Sequence, residues 1–198
     1  MRLIIVRHGL TEENIKGITQ GQTPGKLTPK GIKQAKKVGL RLKDEKIDFI
    51  YSSDLQRVID TTKEIIKYHP NIPVYYVKEL REFTKGVFDG KPRTILKEYR
   101  KTINGPFHEH RFEKGESLAD VQKRIFQFYQ KTLEKYPDKT ILWITHGGVI
   151  SQLLLKLLNK HNSEFKDVQP ENCAITIIEV DKNKNHNVTL LNCIKHLD

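Results

Sequence analysis

The sequence predicts an α/β fold: a three-layer αβα sandwich with a mostly parallel sheet and an antiparallel element at one edge. Short aliphatic runs alternate along the chain with longer segments whose apolar residues recur at helical spacing. This alternation is typical of a parallel sheet covered by helices on both faces. Two strand-like segments with no helix between them close the chain and provide the antiparallel element. We expect residues 1–198 to form a single domain, since this length suffices for one sizeable core.

The first strand and helix are marked by an apolar run and a capping signal. Residues 2–6 contain the run Leu-Ile-Ile-Val, which predicts a strand buried on both faces. Further along, Thr28 is expected to cap a helix whose first position is Pro29. The apolar face of that helix is predicted to consist of Ile32, Ala35, Val38 and Leu42.

A second strand, a helix and a third strand follow with similar signals. The pattern of residues 47–53 predicts a short strand, and Ser53 with Gln56 predicts a capping box that opens the next helix. The apolar stripe of this helix is Leu55, Val58, Ile59, Ile65 and Ile66. Pro70 should end the helix before a third strand at residues 72–77.

Residues 80–116 form a long segment rich in glycine, proline, lysine and histidine, with one helix expected around residues 93–101. An irregular segment of this length inside a compact chain is usually functional. We therefore expect residues 80–116 to act as a lid or substrate segment. Ser117 should then cap a long helix.

The last part of the chain predicts one more buried strand, a buried helix and the closing strand pair. Residues 140–145 are apolar, and the segment that starts at Gly147 is apolar nearly all round, as expected of a buried helix. The closing strands are expected within residues 173–180 and 187–194, joined by a polar turn.

The chain is strongly basic, with 35 Lys and Arg against 24 Asp and Glu and a formal net charge of +11. Such a charge attracts anions, nucleic acid included. Much of the lysine recurs on amphipathic segments such as KGIKQAKKVGLRLKDEK, where a solvated helix face is the simpler interpretation. Aromatic residues make up 8% and are scattered, which leaves no stacking platform for bases. We expect no nucleic-acid partner; salt-sensitive binding to nucleic acid would contradict this.

Signals for export or membrane insertion are missing from the sequence. No apolar run is long enough to span a bilayer, and the N-terminus lacks the layout of a signal peptide. Cys173 and Cys193 have neither the spacing of a disulfide framework nor that of a metal site, and we expect free buried thiols. We predict a cytoplasmic protein without a membrane partner.

Two predicted strands end in the same way, with a histidine followed by glycine. The first strand delivers Arg7-His8, and the strand at residues 140–145 delivers His146-Gly147, where the next helix begins. If these strands are neighbours, both imidazoles face the crevice beyond the carboxyl ends of the sheet, where ligands bind in such folds. Free N–H groups at the helix start would add an anion cradle. For either histidine alone, the alternative is that it only caps its strand by hydrogen bonding.

An arginine and a glutamate are predicted near the same sheet edge. Arg57 lies in the first turn after the second strand, and its guanidinium forks onto two oxygens, which suits a phosphoryl group. A surface ion pair with Asp54 or Asp60 is the alternative interpretation. Glu82 lies beyond the third strand, where a carboxylate among cations could give or take a proton at a leaving oxygen. Loop glutamates, however, are usually just solvated.

Five segments resemble, in order, the motifs of the histidine phosphatase superfamily, phosphoglycerate-mutase-like branch. They are RHGLTEEN, SSDLQR, LREFTKGVFDG, GESLADV and THGGVI, and the resemblance covers residues 3 to about 150. Leu10 departs from the pattern, because the family often has Glu or Gln there, so any hydrogen bond made at that position is missing. No charge-bearing group is altered, and we expect catalysis to survive. Glu116 in the fourth motif is expected to orient a neighbour.

The resemblance implies a role for each matching residue. His8 would be the nucleophile that becomes phosphorylated, and Glu82 would protonate the leaving oxygen and afterwards activate water. The phosphoryl oxygens would be held by Arg7, Arg57, His146 and the backbone N–H of Gly147. Further contacts to phosphate or substrate would come from Asn14, Gln20 and Gly21. The family's chemistry requires no metal and no cofactor.

Phosphatase and mutase activities remain as alternatives. The mutase branch is longer, with an extra cap segment, whereas residues 83–116 would make a thinner lid that admits water. We predict a metal-independent phosphatase for small phosphomonoesters of the phosphoserine, phosphoglycerate or phosphosugar type, with a 2,3-bisphosphoglycerate-dependent phosphoglycerate mutase as the alternative. A family member that only binds phosphorylated partners is a further alternative, against which the complete set of principal groups argues.

The partner is then a small phosphorylated metabolite, and a homodimer is left open. The lid segment carries eight basic residues, some of which we expect to contact a second anionic group of the substrate, although each one by itself could be solvated. They are Lys85, Arg93, Arg100, Lys101, His108, His110, Arg111 and Lys114.

Overall fold

A six-stranded sheet runs through the protein, whose computed structural model describes residues 1–198. The order across the sheet is β3-β2-β4-β1-β5-β6. Strands β1 to β4 are all parallel to one another. In contrast, β5 is antiparallel to β1, and β6 is antiparallel to β5. The strands are β1 (Arg2–Arg7), β2 (Phe49–Ser53), β3 (Val74–Val77), β4 (Thr140–Thr145), β5 (Ile175–Val180) and β6 (His186–Cys193).

Six α-helices connect or cover these strands: α1 (Glu12–Ile15), α2 (Pro29–Leu42), α3 (Gln56–Ile66), α4 (Arg93–Lys101), α5 (Leu118–Lys135) and α6 (Gly147–Leu157). Short 3₁₀ segments cover Lys78–Leu80, Gly86–Phe88, Asn162–Val168 and Lys195–Leu197. Mixed α/β architecture with a mostly parallel sheet and an antiparallel edge element is what the sequence predicted, and it is confirmed.

The sheet separates two hydrophobic cores, and β1 contributes to both. Leu3 and Ile5 pack in the core that contains the buried faces of α5 and α6. Ile4 and Val6 point the other way, into the core that contains the buried faces of α2 and α3. Successive side chains of a strand point to opposite faces, so a sheet covered on both sides needs an apolar residue at every position. Burial on both faces of the sheet therefore explains the continuous aliphatic run of β1.

Two of the three predicted caps are present. The Thr28 hydroxyl accepts a hydrogen bond from the Gly31 N–H at 2.9 Å, and Pro29 occupies the first helical position of α2. The Ser117 hydroxyl accepts from the Asp120 N–H at 3.1 Å and opens α5 with a capping box.

The buried face of α2 differs from the prediction at one position. Ile32 is 39% exposed, whereas Gly31 and Gly39 lie on the buried side with the expected Ala35, Val38 and Leu42. The reason is close backbone approach: a Cβ at Gly31 would overlap the carbonyl oxygen of Leu10. Helical periodicity of apolar side chains cannot identify a face on which glycine makes the contact.

The prediction that Ser53 caps α3 was wrong. The N-cap residue is Leu55, without a side-chain hydrogen bond, because β2 continues to Ser53. The Ser53 hydroxyl instead lies 2.9 Å from His146 Nε2. The strands predicted at 47–53 and 72–77 also begin later than expected, since ladder pairing of β2 with β3 starts at Ile50 and Val74.

Residues 80–116 are folded against the carboxyl ends of the parallel strands. The helix predicted at residues 93–101 is α4. Aromatic packing holds the segment together: the Phe88 ring lies 4.6 Å from Tyr99 and 5.8 Å from Phe112, and Phe83 lies 5.7 Å from Phe112 (centroid to centroid). The segment therefore has an apolar cluster of its own below its basic surface.

None of the helices combines the length and the apolar character that crossing a membrane would require. Both cysteines are free; Cys173 is buried and Cys193 is half-buried. The second thiol is thus more accessible than predicted, because β6 is the outermost strand on its side of the sheet.

Candidate active site

Two imidazoles meet at the carboxyl edge of the sheet. Strands β1 and β4 are parallel neighbours, with Arg7 paired to Thr145, so the residues that follow them are also adjacent. The rings of His8 and His146 lie 5.3 Å apart between centroids and are 2% and 0% exposed. The structure thus brings together the two strand-end histidines, as their matching positions predicted.

His8 presents one ring nitrogen to the cavity. Its Nδ1 lies 2.8 Å from the carbonyl oxygen of Gly9, which can only accept, so Nδ1 carries the proton. Nε2 then holds a lone pair. Burial, followed by the charges of Arg57 and Arg7, lowers the pKa of His8 well below its usual value. His8 is therefore a neutral imidazole, as a nitrogen nucleophile must be.

His146 is held in the opposite tautomer. Its Nδ1 lies 3.1 Å from Arg57 Nη2, and because a guanidinium only donates, Nδ1 accepts. Nε2 then carries the proton and donates to the Ser53 hydroxyl at 2.9 Å. Burial and the charge of Arg57 lower the pKa of His146 well below its usual value. The sequence did not predict this contact of Ser53, although Ser53 belongs to the SSDLQR motif.

Arg57 is the most buried charge of the site, at 1% exposure. Its Nη2 donates to the carbonyl oxygen of Gly21 at 2.8 Å and its Nη1 to that of Thr23 at 2.5 Å. Its Nε is buried without a partner. Burial lowers the pKa of Arg57 to about 10, so the guanidinium remains charged at neutral pH.

The surface ion pairs that were the alternative for Arg57 are absent. Asp54 forms a two-point ion pair with Arg81, with both N–O distances 2.6 Å. Asp60 pairs with Lys63 at 3.0 Å. The charge of Arg57 is thus directed into the site.

Arg7 provides a second guanidinium with an unused donor. Nη1 donates to the carbonyl oxygen of Pro170 at 2.7 Å, and Nε is buried without a partner. A Cβ at Gly147 would lie 3.3 Å from Arg7 Nε, so the glycine permits the guanidinium to approach the start of α6. Buried unpaired donors are rare in folded proteins and indicate a site that a ligand completes. Arg7 and Arg57 each have such a donor, and the charges of both act on His8.

Glu82 lies at the N-terminus of α6. Its Oε2 accepts from the Gly148 N–H at 3.2 Å and its Oε1 from the Phe83 N–H at 2.8 Å. A Cβ at Gly148 would overlap Oε1, so this approach requires glycine. The neighbouring Arg81–Asp54 ion pair anchors the backbone of Glu82 to the end of β2. The carboxyl group thus faces the same space as His8.

The loop that contains α1 carries Asn14, Gln20 and Gly21, and all three line the cavity. Asn14 Oδ1 accepts from Thr11 Oγ1 at 3.1 Å and from Asn172 Nδ2 at 3.3 Å, which leaves the Asn14 amide N–H groups for a ligand. Gln20 Oε1 is buried without a partner.

Asp89 ties this loop to the lid segment and was not predicted. Its carboxylate accepts from the Gln22 N–H at 3.1 Å and the Lys85 N–H at 2.9 Å. Gly21 has φ +48°, and a Cβ there would overlap the Asp89 carboxylate. Asp89 lies in the LREFTKGVFDG motif, which is the signal that could have identified it.

Glu116 orients neighbours, as expected. It accepts from the Thr84 N–H at 3.2 Å and from Arg124 Nε at 3.0 Å. Arg124 in turn donates to the carbonyl oxygen of Arg81 at 3.0 Å, beside Glu82. Leu10, the departure from the family pattern, is not among the residues that line the cavity.

The cavity has a volume of about 860 Å³. Its wall contains six Lys or Arg side chains but a single carboxylate, that of Glu82. The basic side chains are Arg7, Arg57, Lys85, Arg93, Arg100 and Lys166. Four of the eight basic residues predicted for the lid contribute: Lys85, Arg93, Arg100 and His108. Lys101, His110, Arg111 and Lys114 do not line the cavity.

One wall of the cavity was missed by sequence reasoning. Residues 161–169, which follow α6, contribute side chains that include His161, Phe165 and Lys166. The segment matches none of the five motifs, so its sequence gave no signal of a role. No group of three or more His, Cys, Asp or Glu side chains is arranged to hold a metal ion.

Comparisons with known proteins find similar sequences and similar folds. The chain is 32% identical over 190 residues to a broad-specificity phosphatase from Saccharomyces cerevisiae. The aligned region covers 92% of this chain and 80% of that relative. The structure of YhfR from Bacillus stearothermophilus has a TM-score of 0.90 at 26% identity, over 100% of this chain and 99% of that one. A phosphoserine phosphatase from Entamoeba histolytica, solved with 3-phosphoglyceric acid, has a TM-score of 0.85 at 30% identity, over 99% and 98% of the two chains.

The family comparison covers nearly the whole chain. Residues 3–193 match the family described as the histidine phosphatase superfamily (branch 1). This range extends past the last of the five motifs and includes the closing strand pair β5 and β6. The protein belongs to the histidine phosphatase superfamily, branch 1.

Proposed function

We propose that the protein is a phosphatase that hydrolyses small anionic phosphomonoesters through a phosphohistidine at His8. One observation carries this proposal: the free Nε2 of a neutral, buried His8 faces a cavity beside buried, unpaired N–H groups of two arginines. A phosphate ester is negatively charged and repels a negatively charged nucleophile. A neutral imidazole lone pair avoids this repulsion, and the fixed positive charges around it attract the phosphate. The phosphatase names of relatives support the same reaction.

In the first step, His8 Nε2 attacks phosphorus. The N–P bond forms as the bond from phosphorus to the ester oxygen breaks, and protonated Glu82 gives its proton to the departing oxygen. In the second step the Glu82 carboxylate takes a proton from water, and the water oxygen attacks the phosphohistidine. The N–P bond breaks, inorganic phosphate leaves, and the His8 lone pair and the Glu82 proton are restored.

The remaining groups stabilise the charge on the transferred phosphoryl group. Phosphoryl transfer asks mainly for positioning and for fixed donors around the equatorial oxygens. We assign this role to Arg7, Arg57, the Gly147 N–H and the Asn14 amide. His146 does not line the cavity, and its two ring nitrogens are already bonded to Arg57 and Ser53, so we assign it the role of holding the Arg57 guanidinium in place. Arg57 and Arg7 are already held by backbone carbonyls, so they need little reorganisation when the phosphate enters.

Hydrolysis is favoured over the mutase reaction by the size of the cavity. A mutase must shield its phosphohistidine from water while the substrate reorients. A volume of about 860 Å³ leaves room for water beside a three-carbon phosphorylated acid, and Glu82, which would activate this water, is only half-buried.

The excess of cations in the cavity favours substrates with more negative charge than the reacting phosphate. We infer phosphoserine, phosphoglycerates and phosphosugars as the substrate class. We place the reaction in the cytoplasm, since both cysteines are unpaired, as is usual in a reducing compartment.

The test is incubation of the purified protein with a panel of phosphorylated metabolites. Inorganic phosphate release and interconversion of 3- and 2-phosphoglycerate are measured together, with and without 2,3-bisphosphoglycerate. We expect release to dominate, an acid-labile phosphoprotein to accumulate transiently, and His8→Ala to lose at least about a hundredfold in kcat, the usual minimum for a lost catalytic group. Interconversion far above release would favour the mutase, and an active His8→Ala protein would contradict the nucleophile assignment.

A further inference from the structure

The cavity is much larger than the site that the reacting phosphate needs, and its additional cations are arranged on two facing walls. The first wall is α4. Arg93, Leu96 and Arg100 line the cavity and lie on one helical face, at spacings of three and four residues. Lys101, the next residue after Arg100, points elsewhere and pairs with Glu98 at 2.7 Å.

The start of α4 is fixed beside the phosphate end of the cavity. The Arg93 N–H donates to the carbonyl oxygen of Gly17 at 2.8 Å, and the Thr19 N–H donates to that of Lys91 at 2.8 Å. Burial lowers the pKa of Arg7, and the charge of Arg93 lowers it further, although Glu82 opposes the shift. Arg93 therefore lies within electrostatic reach of the reacting end.

Arg100 lies farther along the same helix. Seven residues of α-helix rise about 10 Å, so the Cα atoms of Arg93 and Arg100 are separated by roughly that length along the helix axis. The Arg100 guanidinium is stacked on the Phe107 ring, 3.8 Å from its centroid, and it pairs with no carboxylate. Stacking on one face leaves the edges of the guanidinium free to bind an anion.

The second wall is the segment of residues 161–169. His161 faces His108 of the lid segment, with 6.3 Å between ring centroids, so the two walls meet there. Lys166 carries an unpaired charge, because the nearby acidic side chains of this segment, Glu164 and Asp167, are both paired with Lys160 at 2.6 and 3.5 Å.

The cavity also offers apolar surface. The apolar side chains of the cavity wall are Ile18, Phe83, Leu96, Phe107, Leu118 and Phe165. A three-carbon acid that places its phosphate at His8 cannot also reach Arg100, since its carboxylate lies too near its phosphate. An elongated molecule can reach both ends and cover apolar surface of the cavity.

We propose that the preferred substrates are elongated phosphomonoesters with a second phosphate or carboxylate, which Arg100 and Lys166 bind while the reacting phosphate lies at His8. This inference rests on the proposed phosphatase function and narrows its substrate class. Arg100 and Lys166 select the substrate without touching the reacting atoms. Charge-assisted hydrogen bonds from two cations give the longer substrate its advantage.

The test compares four synthetic esters: hexanediol bisphosphate, hexyl phosphate, propanediol bisphosphate and propyl phosphate. The readout is the ratio of kcat/KM between each bisphosphate and its monophosphate. In the wild type we expect at least about tenfold for the six-carbon pair, the value of one charge-assisted hydrogen bond. The three-carbon pair should show a clearly smaller ratio, because we expect its second phosphate to fall short of Arg100 and Lys166.

Arg100→Gln combined with Lys166→Gln should lower the six-carbon ratio to about that of the three-carbon pair. Lys101→Gln is the matched control, because it removes a neighbouring positive charge that does not line the cavity, and it should keep the ratio of the wild type. The proposal is overturned if the double variant keeps the ratio, if Lys101→Gln lowers it equally, or if both bisphosphates show the same ratio. Failure of the phosphatase function itself looks different, since no ester would then release phosphate.

Discussion

At the scale of a single residue, Ser53 sets the tautomer of His146. The imidazole has a donor at one nitrogen, Arg57, and therefore needs an acceptor at the other. The Ser53 hydroxyl is that acceptor, and it lies at the end of β2, next to the strand that delivers His146. Ser53 is thus a positioning residue: it fixes the ring orientation and tautomer of the imidazole that accepts from Arg57.

Replacement of Ser53 by alanine should lower kcat by about tenfold, because one hydrogen bond of about 1.4 kcal/mol no longer orients the ring. KM should change little. The ¹⁵N chemical shifts of His146 report its tautomer, and we expect Ser53→Ala to mix the two tautomers.

Ser52→Ala is the matched control for this prediction. Ser52 is equally buried, and its hydroxyl lies 2.9 Å from that of Thr62, on the side of α3 rather than at His146. Both variants lose a buried hydroxyl and should lose similar stability. If kcat fell equally in both, Ser53 would serve the fold and not His146.

The first turn of α6 is the element that assembles the site. Its start places Gly147 against Arg7, and the next residue, Gly148, donates its N–H to Glu82. The positive end of the helix dipole and the free N–H groups thus serve both the proposed acid and the phosphate. A Cβ at Gly148 would overlap the Glu82 carboxylate, and one at Gly147 would press against the Arg7 guanidinium at 3.3 Å.

Gly148→Ala should displace the Glu82 carboxylate and lower kcat by at least about tenfold, since a positioned general acid contributes a hundredfold or more. The added methyl group would overlap Glu82 Oε1. Alanine favours a helix over glycine by up to about 1 kcal/mol, so the melting temperature should not fall. Steady-state kinetics and thermal unfolding separate the two effects. A variant with full activity would show that Glu82 can act from another position.

At the scale of the whole molecule, the two buried histidines of the site make stability depend on pH. His8 and His146 stay neutral in the folded protein because burial and the neighbouring arginines lower their pKa values. In the unfolded chain, a histidine takes up a proton below about pH 6.5. The unfolded state then binds more protons than the folded state, so the free energy of unfolding decreases as the pH falls.

We therefore expect the free energy of unfolding to fall between about pH 7 and pH 5, by up to about 1.4 kcal/mol per pH unit for each buried histidine. Urea unfolding at several pH values measures this slope. His8→Asn should show a shallower slope than the wild type, whereas His161→Asn, which removes an exposed histidine, should not. Equal slopes for the wild type and His8→Asn would contradict the neutral state of His8.

The elements of the fold were largely predictable, because their signals are local. The run in β1, the caps at Thr28 and Ser117 and the helix at residues 93–101 depend on neighbouring residues alone. The errors arose where a distant contact overrode the local pattern. Ile32 is exposed because a glycine face packs closer, and Ser53 does not cap α3 because its hydroxyl accepts from His146.

By itself, the sequence determined the α/β class, the strand-end positions of the two histidines and the motifs that indicate the family. Only the tertiary structure decided that His8 and His146 meet, that Arg57 lacks a carboxylate partner and that residues 161–169 face α4. The physical reason is the order of strands: β1 and β4 are neighbours in the sheet although more than a hundred residues separate them in the chain. Local periodicity specifies which residues are strands, but the packing of helices on both faces selects which strands become neighbours.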